Sequence, residues 1–120
     1  TSTFSVDIDS LAISATKINS ALNDFSEDLL NVFHGSIEEI EANMPKKKID
    51  LVLCNILAPV IRSLGPDLEK IIAPEGKVIL SGLLVEQLEE MQEFFSSLSW
   101  KVLEIKTKDQ WALMVLTLIQ

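Results

Sequence analysis

The run Ile49-Asp50-Leu51-Val52-Leu53-Cys54 constrains the fold more than any other part of the chain. Nearly unbroken apolar character over so few residues fits a strand buried on both faces, and such strands belong to parallel sheets flanked by helices. The segment that follows agrees with this. Leu57, Val60, Ile61, Leu64, Leu68, Ile71 and Ile72 recur at a helical period, interrupted at Gly65-Pro66. Pro59 falls in the first turn, where its missing N–H costs nothing, whereas Pro66 is expected to restart or kink the helix. Pro74-Glu75-Gly76 reads as a turn into a further strand, Lys77-Val78-Ile79-Leu80-Ser81.

The same alternation holds on either side. Thr3 to Ile8 is a short β-leaning run, and Asp9 or Ser10 can cap a helix carrying Leu11, Ala15, Ile18 and Leu22 on one stripe. Asn31-Val32-Phe33-His34 is a second strand stopped by Gly35, and Ser36 to Met44 reads as acidic helical turns ended by Pro45. Downstream, Leu84, Leu88, Met91, Phe95 and Leu98 share a helical stripe, with Glu86, Glu89, Glu90 and Glu93 towards water. Trp100–Lys106 and Trp111–Ile119 are strands joined by Thr107-Lys108-Asp109-Gln110, short enough for an antiparallel pair. The pattern βαβαβαβαββ predicts an α/β sheet, mostly parallel with an antiparallel end. No repeat or Pro/Gly/Ser linker interrupts it, so residues 1–120 read as one domain.

Composition narrows the function classes. Ten Lys+Arg against 18 Asp+Glu leave a formal charge of −8 over 120 residues, and the only basic run is Lys46-Lys47-Lys48. A general phosphate-backbone binder needs a basic face, so nucleic acid is a poor partner and a basic protein a better one. One cysteine, Cys54, leaves no internal disulfide framework and suits a reducing cytoplasm. No apolar run approaches the ~20 residues that cross a bilayer.

In open α/β sheets, ligands bind beyond the carboxyl ends of the strands. That rule ranks Asp7 and Asp9, then His34, Gly35 and Ser36, then Cys54 and Asn55, then Ser81 and Gly82. A strand-end carboxylate at Asp7 can accept hydrogen bonds from ribose hydroxyls, or can serve the following helix as a cap, a role better suited to Asp9. The Asn55 carboxamide offers an acceptor and two donors, enough to hold an amine; spacing alone favours a cap on the following helix. Cys54 with His34 as base is the weaker idea, because Cys54 continues an apolar strand as a small hydrophobe does. A lone His34 makes no metal site, and the glutamates from Glu86 to Glu93 read as a solvated face.

Val6-Asp7-Ile8-Asp9, Asn55-Ile56-Leu57-Ala58-Pro59 and Gly76-Lys77-Val78-Ile79-Leu80-Ser81-Gly82 together resemble one family. This is the catalytic domain of the ribosomal protein methyltransferases of the PrmA type, among the class I S-adenosylmethionine-dependent methyltransferases. The likeness runs from residue 4 to the final Trp111-Ala112-Leu113 strand. It implies a Rossmann-like sheet and S-adenosylmethionine as cofactor. By position, Asp7 would bind the ribose, and Asn55 would sit beside the sulfonium methyl and the incoming amine. His34-Gly35-Ser36 would lie near adenine, Ser36 standing where the family often has an acid. Asn55-Ile56-Leu57-Ala58 lacks the prolines and aromatic of the glutamine and DNA amino-methyltransferases, which favours the ribosomal-protein branch and a basic ribosomal protein as substrate. No metal is required.

The resemblance also implies something absent. Gly35, Gly65, Gly76 and Gly82 supply no G-x-G window, and only six residues precede Asp7. The family's first strand and Gly-rich loop are therefore expected upstream of Thr1, making residues 1–120 a partial catalytic domain. Its two bared strand edges would favour a strand-exchanged homodimer or a sheet closed non-natively, and the fragment alone would bind cofactor weakly or not at all and be inactive. The competing reading is a non-catalytic interaction or structural module on a degenerate methyltransferase scaffold. An amino-methyltransferase acting on another protein or on nucleic acid is a third.

Overall fold

The computed structural model describes residues 3–7, 10–23, 30–34, 42, 48–55 and 58–119, with the backbone alone described at 3–7, 10 and 30–34. The chain divides into two compact units, Thr1–Lys46 and Lys47–Gln120.

In the first unit, β1 (Thr3–Asp7) and β2 (Leu30–His34) pair in parallel, from Thr3 opposite Leu30 to Asp7 opposite His34. Between them in sequence, α1 (Ser10–Leu22) packs against both strands, as a crossover helix does. Its buried side is not the expected one. Leu11, Ile18 and Leu22 are 78%, 60% and 75% exposed, while Ile13 is buried and Ala12, Thr16 and Ser20 are partly covered. The regular stripe faces outward, because the helix is seated through a lone isoleucine among small side chains on the opposite side. The helical turns expected over Ser36 to Met44 lie outside the described residues, apart from Ala42.

The second unit is a four-stranded mixed sheet in the order β3-β4-β6-β5. It comprises β3 (Ile49–Asn55), α2 (Ala58–Ile71), β4 (Ile72–Leu84), a 3-10 turn (Val85–Gln87), α3 (Leu88–Ser96), β5 (Trp100–Lys108) and β6 (Trp111–Leu118). β3 and β4 are parallel; β6 lies antiparallel to both β4 and β5. The expected antiparallel end is therefore present, closed by a turn at Asp109-Gln110.

One face of this sheet holds the core. Val78, Leu80 and Leu83 of β4 pair with Leu116, Met114 and Ala112 of β6, and all six are buried. Over them lie Ile61, Leu68 and Ile71 of α2 and Met91 and Phe95 of α3, with Phe95 edge-on to Trp100 at 6.4 Å between ring centroids. Arg62 and Glu90 form an ion pair between the two helices.

Three expectations need correction. The helix does not restart at Pro66: α2 is continuous, with Ile61, Gly65, Leu68 and Ile71 buried on one side and Pro66 exposed on the other. Packing of that face outweighs the one hydrogen bond that proline removes. Pro74-Glu75-Gly76 lies inside β4 rather than ahead of it. Ile49 pairs with Ile72 and Leu51 with Lys77, so Ala73–Gly76 loops out of register, where an absent N–H is tolerated. Finally, β3 is not buried on both faces: Leu51 and Leu53 are 52% and 72% exposed, while Val52 and Cys54 are partly covered. Among the described strands β3 pairs on one side only, and the helices of this unit cover only the face that Val52 and Cys54 share with Val78 and Leu80.

Candidate functional site

Parallel pairing brings the carboxyl ends of β3 and β4 side by side, with Cys54 opposite Leu80 and Asn55 opposite Ser81. On the other edge of β4 the ladder breaks at the same level. Leu80 pairs with Met114 and Leu83 with Ala112, so Ser81 and Gly82 together face Leu113 alone. Two residues against one is a β-bulge, a device that re-aims side chains at strand ends.

The bulge depends on glycine. Gly82 has φ +76°, in the left-handed region that other residues avoid. A Cβ placed there would collide with Oδ1 of Asn55 and lie 3.5 Å from its Cγ. The Asn55 carboxamide thus sits over the strand end, in space that a side chain at position 82 would occupy. Asn55 is exposed, and among the described residues no hydrogen bond engages its carboxamide. Among the described residues nothing competes with a ligand for its acceptor and donors, and the helix-cap alternative turns on positions 56 and 57, which lie outside the described residues.

Beside it runs an open groove of about 390 Å³, lined by Ser81, Gly82, Lys106, Lys108, Trp111 and Leu113 among others. The Trp111 indole is half exposed at 51%, and Lys106 approaches Glu104 at 3.6 Å. Sequence reasoning had ranked Ser81 and Gly82 only as a strand end. Glycine closing a buried strand was the available signal for a close approach. The sequence marked Trp111 only as part of the last strand, and Lys106 and Lys108 not as site residues; they reach the groove because the β5–β6 hairpin folds back along β4.

In the first unit the register sets Asp7 opposite His34, so the two strand ends coincide. The structure thereby brings together Asp7 with His34, and Asn55 with Ser81 and Gly82. Gly35, Ser36 and Asp9 lie outside the described residues. Burial pushes the Cys54 thiol above its ordinary pKa, the wrong direction for a thiolate nucleophile. Glu86, Glu89, Glu90 and Glu93 are exposed, as a solvated face requires. Among the described residues no helix is long and apolar enough to cross a membrane.

The fold is shared with methyltransferases. It superposes on an S-adenosylmethionine-dependent methyltransferase from Clostridium acetobutylicum with a TM-score of 0.79 at 8% identity, over 100% of this chain and 76% of that one. It matches the ribosomal protein L11 methylase of Lactobacillus delbrueckii subsp. bulgaricus with a TM-score of 0.85 at 25% identity, over 99% and 58%. The family model for ribosomal protein L11 methyltransferase (PrmA) matches residues 1–118, and the chain belongs to that family. The L11 methyltransferase of Parasynechococcus marenigrum is 42% identical over 114 residues, 95% of this chain and 39% of that protein. That of Prochlorococcus marinus strain SARG is 42% identical over 108 residues, 90% of this chain and 36% of that protein. The chain thus spans about two fifths of the length of these relatives.

Proposed function

We propose that this chain forms part of the catalytic domain of an S-adenosylmethionine-dependent protein N-methyltransferase acting on amino groups of ribosomal protein L11, with Asn55 as its amine-orienting residue. The observation that carries the reading is the Asn55 carboxamide. It is exposed at a strand end, has no hydrogen-bond partner among the described residues, and lies over a glycine bulge in a chain of the L11 methyltransferase family.

The residues present suit the cofactor. The Asn55 carboxamide can lie over the Gly82 backbone only because that residue lacks a Cβ, and this sets its acceptor and donors at the strand end where a ligand would meet them. Asp7, ending β1, would accept hydrogen bonds from the ribose hydroxyls, and His34, opposite it in register, would flank adenine with Ser36. When bound, S-adenosylmethionine supplies a methyl already activated on a sulfonium. What remains for the protein is alignment. The Asn55 carboxamide oxygen accepts a hydrogen bond from the neutral amine and so fixes the direction of its lone pair, without taking the proton itself. The −8 charge of the chain complements a basic ribosomal protein.

The test is Asn55→Ala in the complete gene product, with L11 as substrate. Turnover should fall by about 10- to 100-fold, the kinetic equivalent of one lost hydrogen bond to a reacting group, while S-adenosylhomocysteine affinity holds within about threefold. Asp7→Ala should do the reverse, weakening the cofactor more than turnover at saturation. Equal loss of both properties in each variant would refute this division of labour. A wild-type gene product that neither binds the cofactor nor methylates L11 would favour a non-catalytic module.

A further inference from the structure

We infer that Gly82 is a positioning residue for Asn55: the glycine bulge in β4 holds the carboxamide in its working orientation, and any side chain at position 82 displaces it. The inference rests on the role proposed for Asn55 and extends it to a residue on a different strand.

Three linked features of the backbone meet at this position. Gly82 adopts a positive φ, so the backbone here is shaped for glycine whatever the surroundings. The ladder to β6 skips at Ser81-Gly82, which turns this stretch out of the regular sheet at the level of Asn55. The direction a Cβ would take from Gly82 leads straight into Oδ1 of Asn55. A strand end serving packing alone would need none of these together. The Asn55 carboxamide therefore occupies the place of the missing Gly82 side chain. The carboxamide has no hydrogen bond among the described residues, and its Oδ1 is the atom nearest to where a Gly82 Cβ would stand. A methyl group at position 82 must rotate the carboxamide away, and an amine-aligning group that is turned aside loses its function without leaving the site.

Gly82→Ala introduces both the methyl group and backbone strain, so a second variant separates them. Asparagine tolerates positive φ far better than alanine does and still carries a Cβ. In the complete gene product, with L11 as substrate, both Gly82→Ala and Gly82→Asn should lower kcat about tenfold or more, since small misplacements of an aligning group are costly. S-adenosylhomocysteine affinity should change less than about twofold, and Gly82→Asn should retain more thermal stability than Gly82→Ala. The deciding measurement is a double-mutant cycle with Asn55→Ala. If Gly82 acts through Asn55, adding Gly82→Asn to Asn55→Ala costs little further turnover. Full additivity of the two losses would overturn the inference while leaving the role of Asn55 intact. An Asn55→Ala variant of undiminished turnover would instead overturn the role of Asn55, and this inference with it.

Discussion

β3 and β4 are adjacent parallel strands of similar composition, Asp50-Leu51-Val52-Leu53-Cys54 beside Lys77-Val78-Ile79-Leu80-Ser81, yet they meet very different surroundings. Val78 and Leu80 are completely buried, whereas Leu51 and Leu53 are 52% and 72% exposed. The difference is one of position and face. β4 has a hydrogen-bonded neighbour on each side and turns Val78 and Leu80 to the face on which α2 packs. β3 pairs on one side among the described strands, and Leu51 and Leu53 point to the face those helices do not cover. A strand's apolar content says that it can be buried; its neighbours decide whether it is.

The largest test of this contrast is a pair of truncations in the 120-residue chain, followed by urea unfolding. Leu80→Ala should cost about 2–5 kcal/mol, because it opens a cavity among fully packed neighbours. Leu53→Ala should cost less than about 0.5 kcal/mol, as exposed substitutions usually do. Equal losses would break the comparison and show the open face to be closed in solution.

Thiol chemistry resolves the same two faces one residue apart. Cys54 lies on the covered side of β3, and burial raises its pKa, so a thiolate reagent at neutral pH should modify it more slowly than the cysteine of a Leu53→Cys variant. The gap should narrow as pH rises. The raised pKa means that the fold favours the neutral thiol. That contribution to stability is fully present below the ordinary thiol pKa and is lost as pH climbs through the raised one. Matching reaction rates at neutral pH would contradict the placement of Cys54.

The smallest effect belongs to the ion pair bridging the helices over the covered face. Arg62 and Glu90 are 38% and 62% exposed, so Glu90→Gln should destabilise by less than about 1 kcal/mol, and high salt should erase the difference. A larger, salt-insensitive loss would show that the pair is part of the packed layer rather than its rim.

Much of this molecule was legible before any coordinates. The alternation of strands and helices, the antiparallel final pair and the strand-end location of Asp7, His34 and Asn55 follow from periodicity and from turn residues, which act locally. The stripe Leu11-Ala15-Ile18-Leu22 correctly marked a helix but not its buried side, because any helical period is satisfied by either orientation. Local chemistry makes Pro66 a place for a helix to restart or kink and Pro74 part of a turn into the next strand. In the folded chain a packed helix face and a register skip accommodate them.

The candidate site divides the same way. Asn55 was visible as a polar residue at the end of an apolar run, and the family was visible in three motifs in order. What the sequence by itself determined, then, is which segments are strands and helices and which polar residues end the strands, because hydrophobic period and turn chemistry are written in neighbouring residues. Only the tertiary structure decided which faces are covered, and that the backbone of Gly82 lies beneath the Asn55 carboxamide with Trp111 along the adjoining groove. Those contacts join residues 27 and more positions apart through strand register, which the ladder sets as a whole and no local pattern records.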